Sequence, residues 1–180
     1  GDARGARGRA GLVTQRACVQ AVWAELMVDA LVASGVVVAV LSPGSRSTPL
    51  VLALSRNPNI RVIEVIDERS AGFVALGAGR ATGTPAVLVC TSGSAPAHYL
   101  PSIVEADAAS VPMIVVSANR PFALQHAGES QTVDQTKLFG DRVRFFADVG
   151  EPSSRIDDLR AMRRLVAQAV RFALDGGPTH

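Results

Sequence analysis

Val36-Val37-Val38-Ala39-Val40-Leu41-Ser42-Pro43-Gly44-Ser45-Arg46-Ser47-Thr48-Pro49 is the stretch that decides the fold of this chain. Its first half is an unbroken run of small, mostly β-branched apolar residues, the pattern of a parallel strand buried on both faces. Leu50-Val51-Leu52-Ala53-Leu54 follows and reads as a helix. A Pro-Gly turn, several hydroxyls and Arg46 therefore sit where the carboxyl end of a strand meets the amino end of a helix. In open α/β sheets that crevice is where ligands bind. Exposed N–H groups and the helix dipole there favour an anion, and an arginine can grip a carboxylate through two parallel hydrogen bonds.

Outward from this stretch the chain alternates regularly. Val19 to Ala33 has helical spacing, with Val22, Leu26, Ala30 and Ala33 on one face and Gly35 as its stop. Strands are expected near 36–41, 62–66, 86–90, 113–116 and 143–147. Helices are expected near 48–55, 69–81, after Ser94, and from about Ser154 to Leu174. Val- and Ile-rich strands, each followed by a helix, predict an α/β domain: a doubly wound, mostly parallel sheet with helices on both faces.

Composition narrows the class. At 180 residues and 48% hydrophobic content, one domain with a sizeable core is expected. Residues 1–16 hold Arg4, Arg7, Arg9 and Arg16 against Asp2, so the rest of the chain carries 14 basic and 15 acidic residues. The basic balance comes from that leader and does not point to nucleic acid. Residues 1–11 read as a leader, disordered or left over from expression, and 12–180 as the domain. Cys18 and Cys90 have no paired spacing, so reduced thiols and a cytoplasmic location are expected. No apolar run approaches the roughly 18 residues of a membrane span. Gly176-Gly177-Pro178 closes the last helix where another strand should begin, so the domain is expected to be cut before its last strand.

Four groups carry candidate chemistry. The first is the Ser42–Pro49 turn. The second is Asp67-Glu68-Arg69, where Glu68 reads as an acid able to share a proton with a ligand. The ordinary reading of a helix start, with Asp67 as cap and Arg69 pairing beside it, is favoured from the triplet alone. The third is Thr91-Ser92-Gly93-Ser94, which also suits a plain cap. The fourth is Asn119-Arg120-Pro121 with the polar loop Gly128-Glu129-Ser130-Gln131, and Arg120 by itself is compatible with a surface arginine. All four lie at carboxyl ends of expected parallel strands, and those ends share one edge. His98 and His126 have no visible partner and are given no role.

Taken together and in order, these motifs resemble the amino-terminal, pyrimidine-binding domain of the 2-succinyl-5-enolpyruvyl-6-hydroxy-3-cyclohexene-1-carboxylate synthases of menaquinone biosynthesis, the MenD family of thiamine-diphosphate-dependent transferases. The resemblance runs from about residue 14 to residue 180. It implies that Glu68 is the catalytic and cofactor-binding glutamate, hydrogen-bonded to N1′ of the cofactor's aminopyrimidine, where sharing a proton prepares the thiazolium carbon as a nucleophile. It places Pro43, Gly44, Thr91, Ser92 and Gly93 close to the cofactor. It aligns Ser45, Arg46, Arg120 and Gln131 with contacts to the acidic substrates 2-oxoglutarate and isochorismate. By the family's chemistry, 2-oxoglutarate loses carbon dioxide and its succinyl unit adds to isochorismate.

The resemblance also implies partners. The family binds the diphosphate through a divalent metal, magnesium or manganese, held by a Gly-Asp-Gly segment in a separate domain of a neighbouring subunit. No Gly-Asp-Gly occurs here, and Asp107, Asp134 and Asp141 show no spacing that would replace it. No metal ligand is assigned in this chain. A homodimer or homotetramer is expected for the intact enzyme, an inactive isolated domain for this chain, and neither nucleic acid nor membrane as partner. The sequence departs from the family at Ser94-Ala95-Pro96-Ala97-His98, and Glu129 and Ser130 stand where an alanine-asparagine pair is typical. Two other readings remain: the pyrimidine-domain subunit of another thiamine-dependent 2-oxoacid decarboxylase, and a non-catalytic domain that binds an anion.

Overall fold

Runs of valine, isoleucine and alanine form four parallel strands, β1 (Val38–Leu41), β2 (Arg61–Glu64), β3 (Ala86–Cys90) and β4 (Met113–Ser117), joined by a short β5 (Pro178–Thr179). The computed structural model describes residues 3–125 and 127–180, with side chains described from residue 14 onward. The helices are α1 (Ala3–Ala33), α2 (Thr48–Arg56), α3 (Glu68–Thr82), α4 (Leu100–Ala108), α5 (Phe122–Gln125) and α6 (Ile156–Gly176). The sheet order is β2-β1-β3-β4-β5, with every pairing parallel. This is the doubly wound sheet expected from the sequence.

The register explains why both faces are buried. Val40 stands between Ile63 of β2 and Leu88 of β3, and Leu88 is level with Val115 of β4. Successive side chains of a strand point to opposite faces. Ala39, Leu41, Val87, Val89 and Ile114 pack with Trp23, Met27 and Leu31 of α1, Leu54 of α2 and Met162, Val166 and Val170 of α6. Val40, Leu88, Cys90, Met113 and Val115 pack with Ala71 and Ala75 of α3 and Ile103 and Ala106 of α4. Small residues let α3 lie close. A Cβ on Gly79 would run into the carbonyl oxygen of Pro112, at the entrance to β4.

Two expectations are corrected. The buried face of α1 is Trp23, Met27, Ala30 and Leu31, whereas Val22 is 47% exposed. Trp23 and Met27 carry more apolar surface than Val22 and Leu26, and the helix turns to bury them. The leader expected over 1–11 falls on residues 1–2, outside the described residues, and on backbone that forms the first turns of α1.

The second correction concerns residues 143–147, which form no regular strand. Their N–H groups at Arg144 and Ala147 donate to the carbonyls of Pro178 and His180, and His180 N–H donates to Phe145. Pro178 has no N–H to complete the ladder, so the pairing stays partial. β5 takes the place beside β4, and the strand expected after Gly-Gly-Pro begins at Pro178. Arg144 fastens this edge by pairing with Asp107 at 2.7 Å and donating to the carbonyl of Gly176 at 3.0 Å.

His180 is held in one tautomer. Gln135 Nε2 donates to the Ala118 carbonyl at 3.0 Å, which turns its Oε1 toward Ser117. Ser117 Oγ must give its proton to that Oε1, 2.6 Å away, and accept from His180 Nε2–H at 2.8 Å. Nδ1 is then an unprotonated, buried atom with no partner among the described residues. Burial pushes the His180 pKa down to about 4.

Two outcomes follow from this packing. Gly79→Ala forces α3 away from Pro112 and lowers stability by about 1–3 kcal/mol, read as a reduced melting temperature. Because the folded-state pKa of His180 lies below its unfolded value, the unfolded chain binds more protons between pH 6.5 and 4. The His180 contribution is complete above pH 6.5 and is lost as the pH falls toward 4, by about 3 kcal/mol at most. Denaturant titrations from pH 7 to 4 check this, and His180→Gln flattens the dependence.

Candidate functional site

The strand order creates a switch point. From β1 the chain crosses to β2 on one side, while β3 lies on the other, so a crevice opens above the carboxyl ends of β1 and β3. Ser42, fully buried at the end of β1, ties the three strand ends together. Its N–H donates to the Val89 carbonyl at 2.9 Å, and its Oγ donates to the Val65 carbonyl at 2.8 Å. Gly44 then passes so close to β3 that a Cβ would collide with the side chain of Thr91. Ser45–Ser47 form a 3-10 turn closed by Ser47 Oγ on the Gly44 carbonyl at 2.9 Å, and α2 starts at Thr48.

That turn aims Arg46 across the crevice. Its Nη1 donates to Ser92 Oγ and to Gln131 Oε1, each at 2.9 Å. Its Nη2 reaches the Ser130 carbonyl at 3.4 Å. Ser92 is buried and donates in turn to the Gln131 carbonyl at 2.7 Å. Gly93 has φ +77°, and a Cβ there would meet Gln131 Cγ at 2.7 Å. Arg120 enters from the end of β4. Its Nε donates to Thr132 Oγ1 at 2.9 Å, its Nη2 donates to the same Ser130 carbonyl at 3.0 Å, and Nη2 lies 3.3 Å from Glu129 Oε2. Arg46, Ser92, Gly93, Arg120 and Gln131 are thus brought together from three loops. Pro43 and Ser45 are exposed at the rim, and among the described residues Ser45 makes no side-chain hydrogen bond.

At the start of α3, Asp67 is the cap. It accepts from the Arg69 N–H at 2.9 Å, and the Arg69 guanidinium grips both its oxygens. That hydrogen bonding holds the Asp67 carboxyl well below the usual carboxylate range. The helix-start reading therefore accounts for Asp67 and Arg69 but leaves Glu68 unengaged. Among the described residues, the half-buried carboxyl of Glu68 has no hydrogen-bond or ion-pair partner. Its charge lies near enough to the end of β3 to act on both Cys90 and Tyr99. Burial pushes the Cys90 thiol up to about 12 and the Tyr99 phenol well above its usual range, with Glu68 adding in the same sense. Neither group is an acid or base at neutral pH. Thr91 Oγ1, between Gly44 and the end of β3, is buried without a partner among the described residues.

An unpartnered carboxyl and an orphaned hydroxyl at one strand edge fit a heteroaromatic ring that offers both hydrogen-bond donors and acceptors. No cluster of three His, Cys, Asp or Glu side chains suited to a metal occurs among the described residues. His98 is exposed, and His126 lies outside the described residues. Sequence reasoning gave no role to Ser42 or to Ser130. Ser130 acts through its backbone carbonyl, which no side-chain pattern announces, and Ser42 reads as an ordinary turn serine.

Residues 22–138 match the model of the thiamine pyrophosphate enzyme family, N-terminal TPP binding domain. The chain is also similar to curated proteins named 2-succinyl-5-enolpyruvyl-6-hydroxy-3-cyclohexene-1-carboxylate synthase. The one from Sorangium cellulosum is 52% identical over 156 residues, covering 87% of this chain and 25% of the relative. That of Haloquadratum walsbyi is 48% identical over 160 residues, with 88% and 26% covered. That of Chlorobium phaeovibrioides is 47% identical over 161 residues, with 88% and 27% covered. The chain spans about a quarter of the length of these relatives.

Among the described residues Ser92 is the one hydroxyl that joins the Arg46 turn to the 130–132 loop, so Ser92→Ala leaves the Gln131 carbonyl short of a donor. Loss of about 1–3 kcal/mol is expected. Hydrogen exchange should show faster opening at residues 130–132 than in β3.

Proposed function

We propose, for a chain that belongs to the thiamine pyrophosphate enzyme family through its N-terminal cofactor-binding domain, that it is the pyrimidine-binding domain of a 2-succinyl-5-enolpyruvyl-6-hydroxy-3-cyclohexene-1-carboxylate synthase. The whole enzyme decarboxylates 2-oxoglutarate and transfers the succinyl unit to isochorismate. The observation that carries the reading is Glu68. An unpartnered, half-buried carboxyl stands at the same sheet edge as two arginines that meet at the Ser130 carbonyl. Acid and anion seats are what decarboxylation and transfer of a dicarboxylate require.

When bound, thiamine diphosphate supplies the electron sink for cleaving and forming the carbon–carbon bonds. Glu68 holds a proton between its carboxylate and the pyrimidine nitrogen N1′. A carboxyl suits this because it can give the proton and take it back. Thr91, with its orphaned hydroxyl, and Pro43, Gly44, Ser92 and Gly93 line the pyrimidine seat. Arg46 and Arg120 hold substrate carboxylates, with Ser45 and Gln131 as further polar contacts. Charge-assisted bidentate bonds fix position as well as affinity. The magnesium and the diphosphate are held by a domain of a neighbouring subunit in a homodimer or homotetramer. Residues 12–180 make up the pyrimidine domain, and its free thiols Cys18 and Cys90 suit the cytoplasm.

The test uses the intact gene product with thiamine diphosphate and magnesium, following carbon dioxide release from 2-oxoglutarate with and without isochorismate. Glu68→Gln is expected to cost about 10²- to 10⁴-fold in rate while leaving the melting temperature near that of wild type. Decarboxylation that ignores isochorismate would replace the synthase by another thiamine-dependent decarboxylase. Cofactor binding without any turnover would leave a non-catalytic anion-binding domain.

A further inference from the structure

Arg120 already holds a carboxylate. Its side chain is 17% exposed, and Glu129, 43% exposed, sets Oε2 3.3 Å from Nη2. The same Nη2 donates to the Ser130 carbonyl at 3.0 Å, and Arg46 Nη2 reaches that carbonyl at 3.4 Å. Residues 129 and 130 therefore present to the two guanidiniums a full negative charge and a carbonyl oxygen. Those are the groups that an acidic ligand would bring. The loop that presents them is held by left-handed backbone at Gly128 (φ +72°) and Gln131 (φ +56°) and by the hydrogen bond that Arg120 Nε–H donates to Thr132 Oγ1 at 2.9 Å. Glu129 itself is fastened only by its charge, since among the described residues Arg120 is its sole partner.

We propose that Glu129 is a displaceable internal counter-ion that occupies the carboxylate seat of Arg120, so that this seat opens only to a carboxylate able to exchange it out. The inference rests on the reading that Arg46 and Arg120 hold substrate carboxylates. An attached carboxylate competes at a high effective concentration, so a free monoanion at ordinary concentration does not replace it. A dicarboxylate anchored at Arg46 delivers its second carboxylate at a comparable effective concentration and does replace it. Glu129 thus admits dicarboxylates and rejects single weak anions at the Arg120 seat, at the expense of some affinity. Being half-exposed, the pair is weak enough to break on ligand entry.

The test is calorimetric titration of glutarate, a five-carbon dicarboxylate with no 2-oxo group and hence no turnover, into the intact gene product carrying thiamine diphosphate and magnesium. Glu129→Gln is expected to bind glutarate roughly two- to fivefold more tightly at low salt, and the advantage should shrink as ionic strength rises. Acetate should compete with glutarate in Glu129→Gln and hardly at all in wild type. Glu129→Asp, which keeps the charge, should stay close to wild type in each respect. If Glu129→Gln binds glutarate no more tightly than wild type while Arg120→Gln loses it, counter-ion exchange is wrong and the carboxylate site stands. Equal changes in Glu129→Gln and Glu129→Asp, without salt dependence, would make Glu129 a loop-packing residue and overturn the proposal. Unaltered glutarate binding in both Arg46→Gln and Arg120→Gln would overturn the carboxylate site and the proposal with it.

Discussion

Ser42 is the constraint on which the site depends. Burying a serine at the end of β1 is favourable only because both its N–H and its hydroxyl find carbonyls, one on the β3 side and one on the β2 side. Those two bonds hold three strand ends level. They leave the next residue, Pro43, to turn outward and Gly44 to pass against Thr91. Everything that makes the crevice chemical follows from that passage. The 3-10 turn directs Arg46 over Ser92, and the start of α3 sets Glu68 beside the end of β3.

The electrostatics of the crevice are lopsided. Two guanidiniums converge from loops that follow β1 and β4, and among the described residues Glu129 is the one carboxylate that pairs with either. Glu68 lies at the same edge but pairs with neither. Like charges brought together are tolerated when each finds hydrogen-bond acceptors, and here Ser92, Gln131, Thr132 and the Ser130 carbonyl provide them. The cost of assembling the arginines is met by polar groups that a ligand can supplement. The carboxyl of Glu68 has no hydrogen-bond or ion-pair partner among the described residues.

Most of the architecture was legible because burial on both faces leaves continuous Val- and Ile-rich runs bounded by turn residues. The strand-end motifs were legible for the same reason, since glycine and hydroxyl residues directly after such a run have few other uses. The edge of the sheet was not. Residues 143–147 have strand composition, yet their partner is a two-residue strand beginning with proline, so hydrogen bonding rather than composition decided the outcome. The face of α1 was misread because valine and leucine spacing gave no weight to Trp23. Near the site, an anion-gripping role was expected of Arg46 from its place after β1, whereas those expected of Arg120 and Gln131 came from resemblance. Their junction at the Ser130 carbonyl had no sequence signal, because a backbone atom makes it.

The central claim is that the crevice above β1 and β3, with its two arginines, is where the acidic ligand sits. Its most direct test is a nuclear magnetic resonance titration of the isotope-labelled chain with 2-oxoglutarate, reading the guanidinium Nε–H signals of Arg46 and Arg120. The account predicts that both signals shift and saturate together, with the backbone signals of residues 91–93 and 130–132. The alternative location is the largely apolar cavity of about 140 Å³ between α1, β4 and α6, lined by Leu31, Ile114, Phe146 and Leu165. Shifts confined to that cavity, with Arg46 and Arg120 unmoved, would contradict the account.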